Sequence, residues 1–140
     1  MQIKSLILFM PSIEGGGVEK NLIIISNYFT KTIINIKLIS AENRLQNFFN
    51  KKINFISPSY KFSKNKNKIF KYLICLLLLF KEYLKNKDIL IFSFQANIYT
   101  IIFAKIFNIK IITRSNSSPS GWSKNPFKKI LFKFFLPMAD

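Results

Sequence analysis

The sequence predicts an α/β domain in three layers, with helices on both faces of a mainly parallel sheet of about five strands. Three observations carry that expectation. Short apolar runs, partly β-branched, alternate along the chain with longer segments of helical periodicity, the pattern of successive β-α-β units. The strand-like runs are almost continuously apolar, as strands covered on both faces should be. The chain has 140 residues, 49% of them hydrophobic, which is one domain's worth of sequence with enough apolar surface for a real core.

Each element follows in order. "IKSLILFM" (residues 3–10) reads as the first buried strand. After three glycines, Val18, Leu22, Ile25 and Phe29 fall at helical spacing and predict a helix over residues 18–29. "IINIKLIS" (33–40) is a second strand, "AENRLQNFF" (41–49) suits a short helix, and "INFIS" (53–57) is a third strand stopped by Pro58. A connection rich in lysine and asparagine leads to a helix over residues 68–84. "DILIFSF" (88–94) is the clearest strand, "NIYTIIFAKIF" (97–107) is helical, and "IKIITRS" (109–115) is a fifth strand. A polar loop, "NSSPSGWSKN", precedes a last helix that Pro126 is well placed to start. That helix carries Phe127, Ile130, Leu131, Phe134 and Met138 on one face with lysines interspersed, which suits either a core helix or one lying on a membrane. No repeat and no interdomain linker is visible. The alternation calls for a further strand after "LPMAD", so the sequence is expected to be interrupted there.

Composition narrows the function. The net charge is +16, yet Lys, Ile, Asn and Phe together make up 74 of the 140 residues, a bias that reads as compositional drift. Only Arg44 and Arg114 are arginines, whereas sequence-specific readers of nucleic acid lean on bidentate arginine. No specific nucleic acid is expected; an anionic partner, including a membrane surface, stands as an alternative to drift for the charge. The nine-residue apolar run at 72–80 is far short of the roughly 20 needed to span a bilayer and reads as a buried helix. With no signal peptide recognisable at the start, the expected location is cytoplasmic. One cysteine, Cys75, and no histidine argue against a zinc site, so no metal is expected.

Three of the four glycines, Gly15, Gly16 and Gly17, sit between the first strand and the first helix. Glycine there permits either a tight turn or a close approach of a ligand to the backbone. In open α/β sheets, ligands bind beyond the carboxyl ends of the strands, and a helix N-terminus at that edge suits phosphate. The dinucleotide fingerprint is not met, because Lys20 stands where its third glycine belongs, and no Gly-Lys-Ser/Thr follows. At the same edge the loop after the fourth strand carries Ser93, Gln95 and Asn97. The loop after the fifth carries Arg114, Ser115 and Asn116, then Trp122. Uncharged hydrogen-bonding groups with one arginine suit sugar hydroxyls, and a Trp face can stack on a sugar ring. Turn, cap and loop-packing roles are the plainer alternatives for these residues.

The opening "IKSLILFMPSIEGGGVEKNLIIISNYF" resembles the N-terminal half of GT-B glycosyltransferases of the family-4 type. Their Gly-Gly-small-Glu-Arg pattern stands here as Gly16-Gly17-Val18-Glu19-Lys20. The stretch from "FSFQANIYT" through "RSNSSPSGW" is similar to members acting in cell-surface polysaccharide and lipopolysaccharide assembly. The resemblance spans residues 1–140 and corresponds to a Rossmann-like, acceptor-side domain. The family's C-terminal domain, with most nucleotide-sugar contacts, is not in it. It implies a retaining, metal-free transfer from a nucleotide-sugar donor to a glycan or lipid-linked acceptor, peripherally at the inner face of the plasma membrane. The Gly15, Gly16 and Gly17 loop would approach the donor diphosphate, with Glu19 starting the helix behind it. Ser93, Gln95, Asn97, Arg114, Ser115 and Asn116 would face the acceptor. Many members place a histidine after the fourth or fifth strand; Gln95 and Ser115 occupy those regions here, so no residue is singled out as a base. The alternative is a non-catalytic module holding an anionic or lipid-linked sugar.

Overall fold

A computed structural model describes residues 5–12, 16–59, 67–95, 97–114, 130 and 133–139. It contains a Rossmann-like sheet of five parallel strands: β1 (Leu6–Phe9), β2 (Ile36–Ile39), β3 (Ile53–Ile56), β4 (Leu90–Ser93) and β5 (Lys110–Thr113). Their order is β3-β2-β1-β4-β5, so β1 is central, with Leu6 opposite Ile36 on one side and Leu90 on the other. Three helices connect them: α1 (Gly17–Phe29), α2 (Lys68–Lys85) and α3 (Asn97–Ile106).

Period-two side-chain alternation splits each strand between two cores. Leu6 and Leu8 of β1, with Ile36 and Leu38 of β2, pack under α1 through Leu22. Ile7 and Phe9 point the other way, with Ile39, Ile91 and Ile111, and meet Cys75 and Leu79 of α2 and Ile101 and Ala104 of α3. This double coverage explains the continuous apolar runs. Lys37 is the exception within β2, and it is answered: its ammonium lies 2.6 Å from Glu82 on α2, which also holds Lys85. Asn108 closes α3 with φ 52°, a left-handed residue of a type that tolerates it, while the Ile109 N–H donates back to the Ala104 carbonyl.

Two expectations change. The helix expected over residues 41–49 is only a 3-10 turn, Gln46–Phe48. The chain stays extended past β2 because the Ser40 N–H bonds Ile56 O and the Ala41 N–H bonds Pro11 O, and Ser40 Oγ then accepts from the Glu42 N–H. The apolar run at 72–80, expected to be buried, is buried on one side only. Leu73 and Leu77 are 56% and 62% exposed. Of the last helix, Phe127, Leu131 and Phe132 lie outside the described residues. Ile130, Phe134 and Met138 are exposed, while Phe135 packs against the α2–α3 core. Among the described residues no helix is long and apolar enough to cross a membrane.

Candidate functional site

The strand order places a crevice where connections leave in opposite directions, between the carboxyl ends of β1 and β4. Ligands of open parallel sheets bind at such points. The glycine loop follows β1 and the Ser93–Asn97 loop follows β4, so both flank that crevice. Hydrogen bonds continue the ladder beyond the strands and hold the edge together: Met10 N–H to Ile39 O, Phe94 N–H to Phe9 O, and Arg114 N–H to Ser93 O. Across the crevice itself, Gln95 Oε1 accepts from the Ser12 N–H at 2.8 Å, joining loops 83 residues apart.

Gly16 precedes α1 with extended backbone, φ −158°, a conformation open to any residue. A Cβ built there would meet only the Glu19 carboxylate at 3.4 Å, and one built on Gly17 would meet nothing within 4 Å. Neither glycine is required by internal packing. What the missing side chains do is leave the head of α1 bare. Glu19 is buried and turns back so that its Oε2 accepts from the Gly16 N–H at 2.8 Å. That interaction closes the loop, as the capping carboxylate of a helix start does. It also occupies one amide, so the N–H groups free to meet an anion there are those of Gly17 and Val18, which have no acceptor among the described residues. Gly15 lies outside the described residues.

The β4 and β5 loops sort into two kinds of residue. Ser93 is fully buried, and its hydroxyl is engaged by Gln95 O at 2.9 Å and Asn97 Oδ1 at 3.0 Å, with the Thr100 hydroxyl at 3.5 Å. Asn97 uses its other end to donate from Nδ2 to Arg114 O at 2.9 Å. Ser93 and Asn97 therefore shape the two loops from within. Gln95 and Arg114 are half-buried. The Gln95 amide nitrogen and the Arg114 guanidinium have no partner among the described residues. Ser115, Asn116 and Trp122 lie outside the described residues.

A second polar cluster borders the same edge. Glu42, just past β2, is buried and held by Lys71 at 2.5 Å, from the first turn of α2, and by Arg44 at 2.5 Å. Burial pushes its pKa up, but the hydrogen bonds and charges of Lys71 and Arg44 outweigh burial and leave it below the ordinary value. Sequence reading passed over this cluster, and over Ser12 and Thr100. The available signal was scarcity: with six carboxylates among 22 cations, a carboxylate flanked by apolar residues is expected to be buried and paired. No protein-family profile, curated protein sequence or solved structure matches the chain.

Proposed function

We propose that the chain is the N-terminal, acceptor-side half of a retaining glycosyltransferase. The observation that carries this reading is the bare head of α1 at the β1–β4 crevice, with glycines that nothing inside the fold requires. The Gly17 and Val18 amides and the positive end of α1 suit a diphosphate. Gln95 and Arg114, on neighbouring loops, suit sugar hydroxyls and a negative charge. In the transfer, the bond between the sugar's anomeric carbon and the diphosphate oxygen breaks and its electron pair leaves with the diphosphate. The acceptor hydroxyl oxygen bonds that carbon on the same face, and its proton passes to the departing diphosphate. Stabilising that departure needs donors fixed in place around the leaving group. In this reading a second, donor-binding domain supplies the rest of them, so the 140-residue chain alone transfers no sugar.

Titration of the isotope-labelled full chain with nucleoside diphosphates, followed by amide chemical shifts, tests the site. Gly17, Val18, Gln95 and Arg114 are expected to move together, and Gly17→Val to abolish the shifts while leaving the fold intact. Shifts confined to remote lysines, or unchanged binding in Gly17→Val, would overturn the assignment. A nucleotide-sugar incubated with the chain and a glycan acceptor is expected to yield no product; enzyme-dependent transfer would contradict the two-domain reading.

A further inference from the structure

Helix α2 is apolar on its exposed side. Its inner face is set by Cys75, Leu79 and Glu82. Its outer face carries Ile69, Leu73, Leu77 and Leu84, 56–62% exposed, with Lys81 the charged group among them. From Ile69 to Leu84 such a stripe runs for about 22 Å. It continues onto α3, because Phe80 packs on Phe103 and Phe107, Tyr72 on Tyr99, and Tyr99 is itself half exposed. A helix that is apolar all round belongs under cover, and a continuous patch of this kind marks an interaction surface.

The charge around the patch says what covers it. Of the four carboxylates among the described residues, Glu19, Glu42 and Glu82 are only 5–7% exposed and each is held internally. Asp88 alone is exposed, while Lys68 and Lys81 on α2 and Lys105 on α3, the helices that share one side of the sheet, lie on the surface. Among the described residues, three of the four acids are drawn inward, which leaves lysines at the surface around an aliphatic stripe. The complement is a partner with negative charge and an apolar layer side by side. Nucleic acid offers the charge without a layer for leucine. A second copy would set the same lysines against each other. An anionic lipid bilayer offers both.

We infer that α2 lies in the plane of an anionic membrane surface, with Leu73 and Leu77 entering the headgroup boundary and the surrounding lysines on the lipid phosphates. The contact is on α2, not on the C-terminal helix, and it stands independently of sugar transfer. Lys68, where α2 begins, is at the same sheet edge as the β1–β4 crevice, so the candidate site would open beside the lipid.

Cosedimentation of the full chain with vesicles of phosphatidylcholine and phosphatidylglycerol in equal parts, against phosphatidylcholine alone, tests this. Binding to the mixed vesicles at low salt is expected, with loss at high salt and little binding to the neutral ones. The double variant Leu73→Gln/Leu77→Gln keeps helix-forming residues and is expected to weaken partitioning at least about tenfold. Ile24→Gln, on the exposed face of α1 across the sheet, is expected to leave it unchanged, with circular dichroism confirming that both variants fold. No binding at low salt, equal binding to neutral vesicles, or undiminished binding by the α2 variant would overturn the inference. Loss through Phe134→Gln but not through the α2 pair would move the contact to the C-terminal helix and overturn it equally. Self-association of the wild type that the α2 variant abolishes, without vesicle binding, would replace the bilayer by a second copy.

Discussion

Cys75 is sealed between α2 and the sheet, and burial pushes its thiol up to about 12, against a smaller opposing influence from Lys71. A thiol that cannot ionise does not attack. Labelling by a thiol-reactive disulfide at about pH 8 is therefore expected to be slow in the native protein and fast in denaturant. Equal rates would show that α2 opens readily from the sheet. Ser5 makes a complementary case: its buried hydroxyl finds no hydrogen-bond partner among the described residues. Ser5→Ala is expected to be neutral or to stabilise by up to about 1 kcal/mol, measured by denaturant unfolding. At this scale the glycines were legible through their place between the first strand and the first helix, and Arg114 through its place after the fifth strand. Residue type points to Ser93 and Asn97, but type does not reveal whether a hydroxyl or amide already has an internal partner. Here both do.

Among the elements, the β2–α2 contact is where charge and packing meet. Lys37 points from mid-strand into a covered face, and Glu82 holds it there. Removing only the carboxylate strands a cation under the helix. Glu82→Ala should therefore cost about 3 kcal/mol in denaturant unfolding. Lys37→Met replaces the cation by a side chain of similar length and leaves Glu82 with Lys85, so it should cost much less. Similar losses from both variants would mean that the pair is no more than packing. The strands were readable because their apolar runs are unbroken. The false helix at 41–49 was not, since its sequence carries no trace of the Ile56 and Pro11 carbonyls that keep the backbone extended. The exposed half of α2 was equally hidden: its composition says buried, and only the fold shows that Leu73 and Leu77 face outward.

For the molecule as a whole, the inward carboxylates tie stability to pH. Burial raises the pKa of Glu82, as it does that of Glu42, but Lys37 and Lys85 outweigh it, and both carboxyls end below the ordinary 4.5. A carboxylate whose folded pKa is depressed contributes stability that is complete above its unfolded value and disappears as pH falls through its folded one. Denaturant midpoints should hold steady down to about pH 5 and fall below 4.5, where the unfolded chain begins to take up protons that the fold refuses. A double Glu42→Gln/Glu82→Gln variant should start lower and lose less on acidification. An equally steep acid limb in that variant would place the sensitivity elsewhere.

The central position of β1 also sets a timetable. Its neighbour β2 follows soon after it in the chain, but β4 is far downstream, and the Ser12–Gln95 clasp joins residues 83 positions apart. During synthesis the β1-β2-β3 half is on hand long before the strand that completes the sheet's middle. Until then β1 presents a bare, apolar hydrogen-bonding edge, the kind of surface on which nascent chains pair with the wrong partner. Refolding from denaturant should be slow for a chain of this length, since such distant pairings delay closure, and yields should fall as protein concentration rises.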